Sequence, residues 1–221
     1  QHDGSHNQQG TFPNMKDARF PKFVLMVNGL VPLAFLSWDA TRHDLGPHPA
    51  NRALHVTGLT ALIFLVLTLC VTPLRKLSGY NFLSHFRRML GLLSFFYALV
   101  HLGVWYVADR GMNLRSALIE AFNLHNTFIL VGMITLTMMI PLAITSTHGM
   151  IKRMGAAKWK NLHRLVYVCA IGAAVHFYLT GKIATTLAMT FAWIVGVLLG
   201  YRVIEALRKK AARPKLVATN S

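Results

Sequence analysis

The stretch FRRMLGLLSFFYALVHLGVWYVAD, residues 86–109, decides the fold. From Met89 to Ala108 it is almost wholly apolar, and its one histidine is His101. A hydrocarbon core about 30 Å thick takes about 20 such residues in an α-helix. The run is continuous, without the period-two alternation of a barrel strand, so it reads as a membrane-spanning helix. Working outward, five more runs read the same way: Phe23 to Trp38, Ala53 to Leu74, Thr127 to Thr145, Leu162 to Thr180 and Ile183 to Ile204. The first is short and interrupted by Asn28 and Pro32. Trp38, Trp105, Tyr106, Trp159, Tyr178 and Tyr201 fall near the ends of these runs, as an interfacial aromatic belt requires. The expected fold is therefore an all-α integral membrane protein, a six-transmembrane-helix bundle.

Composition agrees. Of 221 residues 54% are hydrophobic and 14% charged, against roughly 25% charged in soluble domains. The seven carboxylates are Asp3, Asp17, Asp39, Asp44, Asp109, Glu120 and Glu205, with none from 45 to 108 and none from 121 to 204. Gaps of this length exclude a water-soluble domain and leave too few acids for a carboxylate-based hydrolase. The net charge of +16 comes from basic clusters between apolar runs, which points to a membrane and anionic lipid and not to nucleic acid. With the N-terminus in the cytoplasm, 18 Lys and Arg fall on the inner side and 5 on the outer, so both termini are expected to be cytoplasmic. The chain divides into a polar, disordered N-terminus (1–22), a membrane domain (23–207) and a basic cytoplasmic tail (208–221). The N-terminus lacks the basic-then-apolar order of a signal peptide. Cys70 and Cys169 lie inside apolar runs and read as free, buried thiols.

Eleven histidines are many for this length. His101 (YALVHLGVW) and His176 (GAAVHFYLT) sit in apolar surroundings with no carboxylate to pair with. An ionisable group at membrane depth marks function, and without acids a proton relay is poorly supported. A neutral imidazole that binds a metal is the natural alternative, with haem iron the metal for an apolar site. His101 lies 13 residues beyond Arg88, and His176 lies 13 beyond His163, which puts His101 and His176 at one depth in the outer half. His163 and His176 are then ~20 Å apart along a helix, room for one or two haems. Thirteen residues turn a helical side chain by about 220°, so a bend or π-bulge near Gly172 is expected between them. Ala170, Gly172, Ala173 and Ala174 admit either a flat macrocycle or close helix packing. For the inner position His85 and His148 are weaker candidates, and Arg87 and Arg88 are candidates to pair with propionates. His55 is a further weak candidate at the outer end of its span. His125 reads as interfacial, and His2, His6, His43 and His48 as solvated.

Five segments in order carry a resemblance: HVTG (55–58), TPLR (72–75), FRRMLGLLSFFYALVHL (86–102), PLAITST (141–147) and WKNLHRLVYVCAIGAAVHF (159–177). Together they resemble the haem-binding membrane subunits of periplasmic methionine sulfoxide reductase systems, within the ferric-reductase-like transmembrane superfamily. The resemblance implies haem b held by His101, His163 and His176, and a place in the bacterial inner membrane. It also implies electrons from the quinone pool or a cytoplasmic flavin reductase, with flavin mononucleotide or quinone as further cofactors. The implied acceptor is a periplasmic molybdopterin enzyme that repairs oxidised envelope proteins. Many superfamily members carry two histidines on the third span, where this chain has Arg88 thirteen residues before His101. The rival readings are a membrane ferric or quinone reductase acting at its own outer face and, less favoured, a small transporter. The absence of buried acids and of a repeated broken-helix pattern argues against transport.

Overall fold

The computed structural model describes residues 19–181 and 185–211. The polar N-terminus before Arg19 and the tail after Ala211 lie outside the described residues, as do Lys182, Ile183 and Ala184. Six helices are long and apolar enough to cross a membrane, which bears out the six-helix bundle. They are α1 (Arg19–Thr41), α2 (Pro49–Ser78), α3 (Ser84–Val104) with the π-helical turn that follows it, α5 (Thr127–Ile144), α7 (Ala156–Leu162) continued by α8 (Leu165–Leu179), and α9 (Thr185–Ala211). Two short helices lie in the connections: α4 (Leu114–Ala121) and α6 (His148–Met154). Helices α1 and α2 overrun the apolar runs read from sequence by about a turn at each end, because flanking polar residues continue the helix beyond the hydrocarbon, whereas α8 starts inside the run read from Leu162.

The centre of the bundle is α2, which packs on α1, α3, α8 and α9. One core joins Leu62, Leu65, Val66 and Leu69 of α2 to Val166, Ala170 and Ala174 of α8 and Val195 of α9. A second joins Phe64 and Val71 of α2 to Leu90, Leu93 and Tyr97 of α3. Most other large apolar side chains, such as Phe35, Trp193 and Val197, face outward, as lipid permits. Two helix pairs, α2 with α3 and α5 with α8, stand on either side of a cavity of about 480 Å³.

Pro32 interrupts the hydrogen-bond ladder of α1. The buried Tyr97 hydroxyl enters that gap: it donates to Gly29 O (2.7 Å) and accepts from Leu33 N–H (3.2 Å). Backbone groups freed in the membrane are thus satisfied by a neighbouring helix. Helices α1 and α3 meet closely there, for a Cβ on Gly29 would stand 2.8 Å from Leu93 Cδ1.

The expected bend at Gly172 is not found. Helix α8 runs unbroken through it, and the break falls at His163 and Arg164, between α7 and α8. Gly172 instead lets α8 meet α5 closely, for a Cβ there would lie 2.3 Å from Thr135 Oγ1. A π-helical turn does occur, directly after His101, at Trp105–Asp109. Both cysteines are free, with Cys169 buried and Cys70 half-buried.

Candidate metal centre

His101 ends α3 and His176 lies near the end of α8. The two rings meet across the cavity with centres 6.1 Å apart and planes at 86°. Each ring is fixed in the same way on a different helix. Nδ1 of His101 lies 3.0 Å from Leu54 O and 3.3 Å from Thr57 Oγ1 on α2. Nδ1 of His176 lies 2.6 Å from Phe128 O on α5. A carbonyl oxygen only accepts, so in both rings Nδ1–H donates and Nε2 keeps a free lone pair. That is the tautomer a metal-ligating imidazole needs, oriented by a backbone carbonyl behind it.

A glycine one turn after each carbonyl makes the seat. A Cβ on Gly58 would lie 3.0 Å from Cε1 and Nδ1 of His101, and a Cβ on Gly132 would lie 2.8 Å from the same atoms of His176. Leu54 with Gly58, and Phe128 with Gly132, therefore form matching cradles, each a carbonyl at position i and a missing side chain at i+4. Sequence reasoning passed over both glycines, although Gly58 stands in the HVTG segment and Gly132 is the one glycine in α5.

The residues fit a haem. An imidazole nitrogen sits about 2 Å from its metal and roughly 1 Å from its own ring centre, so two imidazoles on opposite sides of one ion have centres about 6 Å apart. Among the described residues no three His, Cys, Asp or Glu side chains gather. Protein-only metal sites take three or four donors, so two facing imidazoles suit a metal that brings its own equatorial ligands.

The cavity is graded. Its deep walls include Leu62, Leu65, Leu136 and Met139, and its far end includes His55, Trp105, Asp109 and Arg110. His55 thus shares the cavity, its ring 6.0 Å from that of Phe177. Arg110 was missed from sequence, because the π-helical turn that carries it round to the rim is a departure from regular helix that composition does not signal. Its guanidinium pairs with Asp109 (2.9 Å) and Glu120 (3.7 Å) and lies over Trp105.

His163 does not share this cavity. It sits in the turn before α8, at the end of the bundle that carries Arg75, Arg87 and Arg202, here termed the basic end. Its ring stacks on Trp159 with centres 4.1 Å apart, and its Nε2 lies 3.1 Å from Thr145 Oγ1. Trp159 Nε1 donates to Thr145 O (2.9 Å), which ties α7 to α5. Arg87 lies within electrostatic range of His163, while Arg88 is exposed. His85 is also exposed, its Nδ1 3.1 Å from Phe82 O, and it joins neither site. The side chain of His148 lies outside the described residues.

Residues 57–174 match the family described as ferric reductase like transmembrane component. A relative from Brucella anthropi, named protein-methionine-sulfoxide reductase heme-binding subunit MsrQ, is 36% identical over 211 residues, 94% of each chain. Relatives of the same name from Brucella ovis and Brucella canis are 39% identical over 196 residues, 87% of each chain. The matched segment runs from the threonine beside one histidine cradle to α8, two residues short of His176, and takes in α3 and α5 whole. By that match, and by identity to the MsrQ proteins over most of its length, this six-helix chain belongs to the ferric-reductase-like transmembrane family.

Proposed function

We propose that this chain is a membrane b-type cytochrome that passes electrons across the bacterial inner membrane to a periplasmic protein-methionine-sulfoxide reductase. The observation that carries this reading is the facing pair His101 and His176, each locked with Nε2 free by a carbonyl and a glycine on a neighbouring helix. The names of the relatives support both the haem and the acceptor.

Haem, when bound, supplies one-electron redox chemistry that no side chain here supplies. The chain's own residues do the rest. His101 and His176 ligate, and the carbonyls of Leu54 and Phe128 hold their tautomers and raise their basicity. Leu62, Leu65, Leu136 and Met139 keep water from the deep wall, which favours the less charged state of the centre. His55 and Arg110, at the polar rim, are placed to receive propionates. At the basic end His163, with Arg87 beside it, is placed to serve a second haem. We place the termini and the basic end in the cytoplasm, where the quinone pool or a flavin reductase, with flavin mononucleotide or quinone as carrier, delivers electrons. Residues 23–207 then form a single electron-conducting domain.

The test is a visible spectrum of the purified full-length protein, with haem quantified per chain. A dithionite-reducible b-type band is expected, lost in His101→Ala and in His176→Ala; unchanged haem in both variants refutes the ligand pair. The family description favours, within a second reading of direct ferric or quinone reduction at the outer face, the ferric form. Reduced protein mixed with the periplasmic reductase and, separately, with a ferric chelate separates the two. Oxidation by the chelate alone would overturn the reductase partner and leave the haem reading intact.

A further inference from the structure

The basic end holds a second cluster that the paired histidines do not use. Arg202 of α9 reaches across to α8 and α2, donating from one terminal nitrogen to Tyr167 Oη (2.7 Å) and from the other to Leu69 O (2.9 Å). Its guanidinium carbon lies 4.9 Å from the centre of the Tyr167 ring. Its Nε is buried and has no partner among the described residues. Arg87 of α3 lies within electrostatic range of the same phenol and of Arg202, and Arg75 of α2 lies within electrostatic range of Arg87. Three guanidiniums from three helices thus lie within electrostatic range around one half-buried place.

Among the described residues no carboxylate balances them. Among the described residues Glu205 is the sole acid at this end, and it is engaged by Lys76 of α2 and by Lys209 one turn on (3.0 Å). Three like charges in partly desolvated surroundings repel. A fold that holds them together, with a buried donor to spare, is complementary to an oxyanion. Guanidiniums present their donors in the fork that a phosphate accepts. The neighbouring surface is apolar and outward-facing at Leu74, Val203, Ile204 and Leu207, which suits acyl chains. Basic pockets between spanning helices commonly take lipid head groups.

We propose that Arg75, Arg87 and Arg202 form a phosphate-binding site, filled from the membrane by the head group of one anionic phospholipid. The site is separate from the histidine pair, so it stands whether or not that pair carries haem. The test is native mass spectrometry of the full-length protein, delipidated and then offered phosphatidylglycerol or phosphatidylcholine, alongside a thermal-shift titration with inorganic phosphate. One phosphatidylglycerol is expected to be retained per chain, in preference to phosphatidylcholine. Arg75→Gln and Arg87→Gln should each weaken retention by about tenfold or more, since each removes one charge-assisted contact. Lys158→Gln, which removes an exposed charge from the α7 surface, should not. Arg202→Lys keeps the charge but loses the fork, and should weaken retention even where Arg202→Gln fails to fold. Protection by inorganic phosphate without lipid preference would uphold the phosphate site and assign it a soluble source. Equal retention of both lipids with no effect of phosphate, or equal losses in Arg87→Gln and Lys158→Gln, would overturn it.

Discussion

The glycine seat behind each histidine yields a prediction that separates site from scaffold. In Gly132→Ala the new methyl would lie 2.8 Å from Cε1 and Nδ1 of His176. Carbon atoms settle at about 3.5–4.0 Å, so ring or helix must give by roughly 0.7 Å. The ring is the part under strain, because its Nδ1 is held 2.6 Å from Phe128 O on the same helix turn. Retreat lengthens that bond beyond useful range, and the ligand loses its orienting partner. Loss of such a partner typically lowers metal affinity by about 10–100-fold. The scaffold moves the other way, since alanine in a helix is better than glycine by about 0.5–1 kcal/mol. The variant should therefore keep its helicity and its unfolding midpoint without haem, yet bind haem at least about tenfold more weakly. Haem titration of the apoprotein, followed by its absorption band, measures this. Gly103→Ala on α3 is the control, for a Cβ there meets nothing within 4 Å. Wild-type haem affinity in Gly132→Ala would show that the ring does not depend on this seat, and the cradle argument would fall.

Gly58→Ala should act in the same direction but more mildly, by a few-fold in the same titration, because its methyl would stand 3.0 Å from the His101 ring. Tyr97→Phe leaves Leu33 N–H and Gly29 O without their bridge beside Pro32. Unfolding in mixed micelles should show a loss of about 1–3 kcal/mol, and no loss would mean that α1 satisfies its own backbone there. Gly172→Ala drives a methyl into Thr135 Oγ1 at 2.3 Å and should destabilise the bundle by about 1–3 kcal/mol. Thr135→Ala in the same chain should recover most of that loss, and additive effects in the double-mutant cycle would refute the contact.

Hydrophobic run length fixed the number of spans, because the bilayer demands a minimum apolar length and the sequence displays it directly. Two long stretches without an acid marked His101 and His176 as groups with no counter-charge, and depth counting set them level. Their pairing across α3 and α8 at 6.1 Å agrees with that count. The same count put His163 on the histidine axis, and its place at the basic end follows. What sequence could not supply was which face each side chain takes. Gly172 was read as a bend, but a glycine inside a membrane helix serves bending and close packing alike, and only the position of Thr135 on another helix decides between them. The cradles of Leu54 with Gly58 and Phe128 with Gly132, the turn that brings Arg110 to the rim, and the meeting of Arg75, Arg87 and Arg202 all join residues distant in the chain. Local pattern reports burial and period, which each helix carries in its own residues. Contacts between helices depend on rotation and register, which only the packed bundle sets.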